Sequence, residues 1–257
     1  MMLAAAKPDC PRCGGTGWLV VADGGAGAAR ACPCRDEMEV PLLLEAAGVP
    51  PRYRECTLKK FHTAVTSGRS DILLEARVAC EEYVDTFLRP DGKFAETGLL
   101  FIGPPGVGKT HLAAAVLMEI VRRFRRPGRF VDFNSLVHQI QSTFDPSSPE
   151  SKHDVLDPVI DAPLLVLDEL GAQKPSPWVN DLLYLILNTR YTRRVPTLFT
   201  TNFRLDATAG TAVSSDPSQL AARLPVMLVS RLFEMAKPVR LEVEDYRRVV
   251  VSAGLAR

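Results

Sequence analysis

Gly98-Leu99-Leu100-Phe101-Ile102-Gly103-Pro104-Pro105-Gly106-Val107-Gly108-Lys109-Thr110 is the stretch on which the fold of this chain turns. Residues 98–102 read as a strand buried on both faces, because the run is apolar without alternation. Residues 103–110 fit the pattern G-x-x-x-x-G-K-[ST], and a helical run from His111 to Phe124 follows at once. Strand, glycine-rich turn and helix in this order make a P-loop. Glycines lack a Cβ and accept positive φ, so successive backbone N–H groups can turn inward around phosphates. Lys109 is placed to reach β- and γ-phosphates, Thr110 to offer its hydroxyl to Mg²⁺, and the positive end of the helix adds to both. Gly103, Pro104, Pro105, Gly106, Val107, Gly108, Lys109 and Thr110, with His111 behind them, are therefore the expected nucleotide-binding segment.

Working outward, strands and helices alternate from Thr97 onward. The expected strands are 98–102, 129–133, 164–167, 197–201 and 239–243. The expected helices are 110–123, 134–142 (capped by Asn134 or Ser135), 177–190, most of 219–235, and a closing one over 244–253. Polar loops are expected at 145–151 and 206–218. Such alternation predicts an α/β fold, a parallel sheet with helices on both faces. Ahead of it, helices are expected over 37–47 and 70–88, the first stopped by Gly48 and Pro50-Pro51, the second by Pro90-Asp91-Gly92.

The strand Leu164-Leu165-Val166-Leu167 runs into Asp168-Glu169. In P-loop proteins a strand of this kind is expected beside the P-loop strand. Asp168 is then the Mg²⁺ ligand with Thr110, and Glu169 the group that polarises the attacking water. Strand 197–201 ends at Asn202; strand C-termini line the ligand crevice in open α/β sheets, so Asn202 is expected to meet the γ-phosphate or the water. Arg231, on a later helix, is the candidate for stabilising transition-state charge in a neighbouring copy, with Arg223 as the alternative.

The first ~35 residues form a different kind of segment. They hold Cys10, Cys13, Cys32 and Cys34, four of the six cysteines in the chain. Cys10-Pro11-Arg12-Cys13-Gly14-Gly15 reads as a knuckle turn, followed by strand 18–21, a turn at Asp23-Gly24-Gly25 and strand 28–31 returning to Cys32-Pro33-Cys34. Two cysteine pairs joined by a hairpin predict a tetrahedral Zn²⁺ site that would hold so small a piece together. The second pair is the tighter C-x-C, so Cys56 or His62 stand as substitutes for the fourth ligand, and free or redox thiols are the alternative to zinc. Cys80, inside a helical pattern, is a core residue.

With 46% hydrophobic and 24% charged residues and a net charge of +1, the chain is of ordinary globular composition and carries no strong overall field. Any contact with single-stranded DNA must come from local patches. The densest is Arg122-Arg123-Phe124-Arg125-Arg126 with Arg129, which equally suits a helix C-terminus facing solvent; Arg193-Arg194 and Lys152-His153 are weaker. No apolar run approaches the ~20 residues of a membrane span, and Met1 to Ala6 does not read as a signal peptide, so a cytoplasmic, reducing location is expected.

Residues 103–112 (Gly-Pro-Pro-Gly-Val-Gly-Lys-Thr-His-Leu), 167–172 (Leu-Asp-Glu-Leu-Gly-Ala), Asn188-Thr189-Arg190-Tyr191 and 195–202 (Val-Pro-Thr-Leu-Phe-Thr-Thr-Asn) together resemble the AAA+ ATPases of the DnaC/DnaI helicase-loader and IstB group. Val49-Pro50-Pro51-Arg52-Tyr53, Thr57-Leu58 and Phe61 resemble the segment before the core in that group. The likeness spans roughly residues 45 to 250. It implies ATP and Mg²⁺ as ligands, hydrolysis with Lys109, Glu169, Asn202 and Arg231 as the working groups, and self-association through Arg231 in trans. The implied partner is a replicative DNA helicase on single-stranded DNA or, in IstB-type proteins, a transposase. A cysteine module resembles that of DnaI-type loaders, where it contacts the helicase or DNA; IstB-type proteins generally lack one. The expected organisation is a zinc-binding module over 1–36, a helical linker with the N-terminal part of the ATPase region over 37–95, and the AAA+ P-loop ATPase domain over 96–257, without a full helical lid.

Overall fold

A computed structural model of the chain describes residues 6–21, 28–63, 70–205 and 215–243. The hairpin turn at residues 23–25, most of the loop 206–218 and the closing helix over 244–253 lie outside the described residues.

The amino-terminal piece is a two-stranded antiparallel hairpin, β1 (Trp18–Val21) and β2 (Ala28–Ala31), with Trp18 opposite Ala31. Helix α1 (Cys34–Ala46) starts three residues earlier than expected, on the last of the four clustered cysteines, with Asp36 and Glu37 in its first turn. Acidic side chains suit that end of a helix dipole. Helix α2 spans Ser70–Asp85.

The core contains β3 (Gly98–Ile102), α3 (Lys109–Phe124), β4 (Arg129–Asp132), α4 (Phe133–Ser142), α5 (Lys152–Ile160), β5 (Leu165–Asp168), α6 (Pro177–Thr192), β6 (Thr197–Thr201), α7 (Val226–Met235) and β7 (Ala236–Arg240). Its five strands pair in parallel in the order β4-β5-β6-β3-β7. Side chains alternate between two apolar layers. Leu99, Phe101, Val166 and Leu198 pack with α2 and α3, whereas Leu100, Ile102, Leu165, Leu167 and Phe199 pack with α4 to α7. Every residue of β3, β5 and β6 is buried, which is why these strands read as unbroken apolar runs.

The structure corrects several expectations. The acid-bearing strand is not beside the P-loop strand: β6 lies between β5 and β3. Chain crossovers set that order, and they leave no local trace in sequence. Helix α4 is capped by Asp132, whose carboxylate accepts Ser135 N at 2.7 Å, and not by Asn134 or Ser135. A carboxylate is a good cap, and taking it ends β4 one residue early. Helix α5 was not expected; Ser151 and Asp154 form a reciprocal capping box that starts it. Residues 219–235 divide into a short 3-10 turn at Leu220–Ala222 and α7, with Pro225 at the break. The last strand runs 236–240, three residues before its expected place, because α7 passes into it without a loop.

Arg190 is fully buried and has no carboxylate partner among the described residues. Its guanidinium donates to the carbonyls of Val159, Ile160, Ala162 and Pro196 and to Thr197 Oγ1. The carbonyl end of α5 supplies the negative potential that a counter-ion would otherwise give. Burial and the neighbouring Arg193 lower its pKa to about 10, so it stays charged near neutrality.

Candidate nucleotide site and cysteine cluster

The P-loop joins β3 to α3 at the carboxyl edge of the sheet. Gly108 caps α3 at φ 95°, a left-handed conformation that favours glycine. A Cβ there would also come within 2.6 Å of the Phe61 ring, so the segment before the core rests directly on the loop. The same segment sends Thr57 O to His111 Nε2 at 3.0 Å, and Tyr53 stacks on Phe130. Burial holds the His111 pKa below its ordinary value, leaving a neutral ring that donates from Nε2.

Lys109 is buried, and its ammonium donates to the carbonyls of Gly103 and Pro104 at 2.8 and 2.7 Å. Across the loop, Thr110 Oγ1 donates to Asp168 Oδ1 at 3.0 Å although the two are 58 residues apart. Thr200 Oγ1 donates to the same carboxylate at 2.5 Å and accepts Glu169 N at 2.9 Å. Strand β6 therefore sits where it can pin both acids. Burial raises the Asp168 pKa, and nearby Glu169 and Asp132 add to that, against the two threonine bonds. A buried carboxylate facing other acids and a threonine hydroxyl is an oxygen donor set that fits Mg²⁺.

Glu169 has φ 59°, unusual for a non-glycine residue, and its Oε2 accepts Asn134 Nδ2 at 3.3 Å. A cleft of about 400 Å³ brings together Pro105, Gly106, Gly108, Lys109, Thr110, His111, Glu169 and Asn202. Val107 lines an adjoining cleft with Gly106, Gly108 and His111. Arg231 and Arg223 do not line either cleft. Arg223 lies over Phe203, and Arg231 over Tyr184.

Sequence reading missed Thr200, Asn134 and the cleft residues Arg52 and Tyr53. Applied to the end of β4, the strand-terminus rule would have found Asn134. Thr200 has no such signal, since its role depends on β6 lying next to β5.

In the hairpin piece, Cys10, Cys13, Cys32 and Cys34 bring their sulfurs within 4.8 Å of one another. Cys10 to Cys32 is 3.7 Å and Cys13 to Cys34 is 3.6 Å, far beyond a disulfide bond but close to the ~3.8 Å edge of a tetrahedron with Zn–S bonds of ~2.3 Å. Gly17 N donates to Cys13 Sγ at 3.2 Å. Burial opposes ionisation of Cys13, but that bond and the neighbouring thiols outweigh it and bring its pKa to about 6. Burial and the neighbouring thiols push Cys34 up to about 12. The set fits a cation that would let all four thiolates coexist. Cys56 and Cys80 belong to the main core, away from this cluster.

The basic cluster at the end of α3 is largely paired with other parts of the chain, at the surface. Arg123 pairs with Asp85, Arg125 with Glu39, and Arg126 lies over Phe94. Arg193 pairs with Asp161, Arg194 with Glu96, and His153 faces Asp157. Among the described residues no helix is long and apolar enough to cross a membrane.

The five-stranded parallel sheet, the P-loop and the acids at its carboxyl edge define an AAA+ type nucleotide-binding domain. Residues 93–252 match the family described as IstB-like ATP binding protein, and the chain belongs to that family. It is 28% identical over 179 residues to the replicative helicase loader DnaI of Bacillus subtilis (strain 168), a match covering 69% of this chain and 56% of DnaI. It is 33% identical over 104 residues to a protein of insertion sequence IS5376 from Geobacillus stearothermophilus, covering 40% of this chain and 39% of that one. The crystal structure of the DnaC helicase loader matches with a TM-score of 0.61 at 30% identity, covering 75% of this chain and 100% of that chain. The chain thus spans little more than half the length of DnaI.

Proposed function

We propose that this chain is a cytoplasmic, ATP-hydrolysing helicase loader that places or remodels a replicative DNA helicase on single-stranded DNA. The observation that carries the ATPase reading is the convergence of Lys109, Thr110, Asp168, Thr200 and Glu169 at one sheet edge. Mg²⁺, when bound, would supply neutralisation of phosphate charge. Thr110 and Asp168 would hold it. Lys109 exchanges its two loop carbonyls for phosphate oxygens. Glu169 orients and deprotonates the attacking water, and Asn134 fixes its carboxylate until then. Asn202 donates to the γ-phosphate or the water from the far side of the cleft. Arg231 completes the site of a neighbouring copy.

The loader role is supported by the likeness to DnaI and DnaC together with the four-cysteine hairpin, which we assign to Zn²⁺. DNA contact through residues 122–129 draws little support, since most of those cations already have partners. The test is to mix purified chain with the replicative helicase of its host, with and without ATP. An ATP-dependent complex is expected; its absence would sink the loader role.

The second reading is a transposition helper that delivers a transposase to target DNA, favoured by the IstB-like family match and the insertion-sequence relative. Capture of the transposase but not the helicase, in the same assay, would decide for it.

A further inference from the structure

Arg231 has surroundings that a surface arginine does not need. Its guanidinium carbon lies 4.8 Å from the centre of the Tyr184 ring and 5.8 Å from that of Tyr191. The tyrosines stand seven residues apart on α6, two turns along one face. Nη1 of Arg231 is shielded from solvent and has no hydrogen-bond partner among the described residues. The acid nearest in sequence is Glu234, one turn further along α7. Its Oε2 accepts the Tyr191 hydroxyl at 2.6 Å. That bond raises the Tyr191 pKa and keeps the phenol protonated. Around the group, Tyr184, Leu185, Tyr191, Met227 and Phe233 remain exposed.

An arginine paired with a carboxylate is already neutralised and must break that pair before it can meet a phosphate. An arginine lying on aromatic faces is oriented by the ring quadrupoles yet keeps its full charge. We propose that Tyr184 and Tyr191 are positioning residues that hold Arg231 flat and uncompensated for the phosphates of a second copy's nucleotide, Tyr191 also keeping Glu234 from discharging it. The proposal rests on the reading of Arg231 as a group acting in trans. It adds that the tyrosine pair, and the diversion of Glu234, determine how well that arginine works.

A mixing assay separates the two claims. Chains carrying Glu169→Gln keep Arg231 but have a dead site. Chains carrying Arg231→Ala have an intact site but no arginine to lend. Turnover of the mixture above that of either alone is the result expected if Arg231 acts in trans; no gain overturns that reading, and this proposal with it. With the mixture active, Tyr191→Phe is added to the Glu169→Gln donor. The ring stays, the hydroxyl goes, and Glu234 is released toward Arg231, so donor-supported turnover should fall about tenfold. Adding Glu234→Gln to that donor should restore it, a rescue that loss of packing would not give. Tyr184→Leu should lower turnover similarly, while Tyr184→Phe should not. ATP affinity of the Arg231→Ala acceptor should stay constant throughout. Donors bearing Tyr191→Phe or Tyr184→Leu that support undiminished turnover would overturn the proposal while leaving Arg231 in its role.

Discussion

The hairpin piece and the sheet domain are held together on opposite terms. In the sheet domain two apolar layers do the holding, and the groups fit for chemistry are carried at the edge of a scaffold that does not depend on them. In the hairpin the buried cluster is three cysteines, and among the described residues only Ala6, Cys13 and Leu19 are packed against it. Trp18 and Val20 point outward, 47% and 83% exposed. There the reactive groups are the scaffold. The lesson is that loss of a functional side chain should be a chemical event in one region and a folding event in the other.

The largest expected effect tests the sheet half of that contrast. Lys109→Ala should weaken ATP binding on the order of 100-fold or more, read by titration with a fluorescent analogue, while the melting temperature moves by ~4 °C or less. A collapse of the melt would show that the loop is part of the scaffold after all. Glu169→Gln should bind ATP as before and lose turnover by about 100-fold or more. Unchanged turnover would remove its assigned role.

The hairpin half is tested by Cys13→Ser or by a strong chelator. Metal analysis of untreated protein should find about one Zn per chain. Its removal should erase amide protection in residues 18–21 and 28–31 and leave β3 to β7 protected. Protection lost everywhere would mean that the two regions fold as one. A smaller effect is expected at their chemical analogue in the core, where Thr200 hydrogen-bonds the Asp168 carboxylate that we assign to Mg²⁺. Thr200→Val should lower Mg²⁺ affinity about tenfold. Its hydroxyl favours the ionised Asp168, so removing it raises that carboxyl further. Protons compete with Mg²⁺ for the carboxylate, so affinity falls as pH falls through the Asp168 pKa. That fall should begin at higher pH in the variant, and coincident profiles would exclude the link.

The two regions also differed in how much of them sequence could reveal. The P-loop, the strand before it and the acids at 168–169 are contiguous, and local chemistry dictates them. The cysteine cluster was legible for the same reason, including Cys34, which lies with the other three despite its tight C-x-C spacing. What sequence withheld was mostly non-local. That β6 lies between β5 and β3 follows from crossovers, and with it went the role of Thr200. Asp132 displaced Asn134 as the helix cap, which left Asn134 free to reach Glu169, an outcome decided by competition between neighbouring caps. The arginines of residues 122–126 looked like a track for a polyanion because their partners, Asp85, Glu39 and the Phe94 ring, lie far off in sequence.

Arg190 bears on how this domain opens. One guanidinium is bonded to the end of α5, to the turn after it, and to the approach and first residue of β6, while its own backbone lies in α6. None of these elements can leave without stranding a buried charge, so they should open as a single cooperative unit. Hydrogen exchange should therefore return one shared opening free energy for α5, α6 and the start of β6, where separate values would show the rivet to be slack. A partner that works on the carboxyl edge of the sheet would then act on a plate that moves whole.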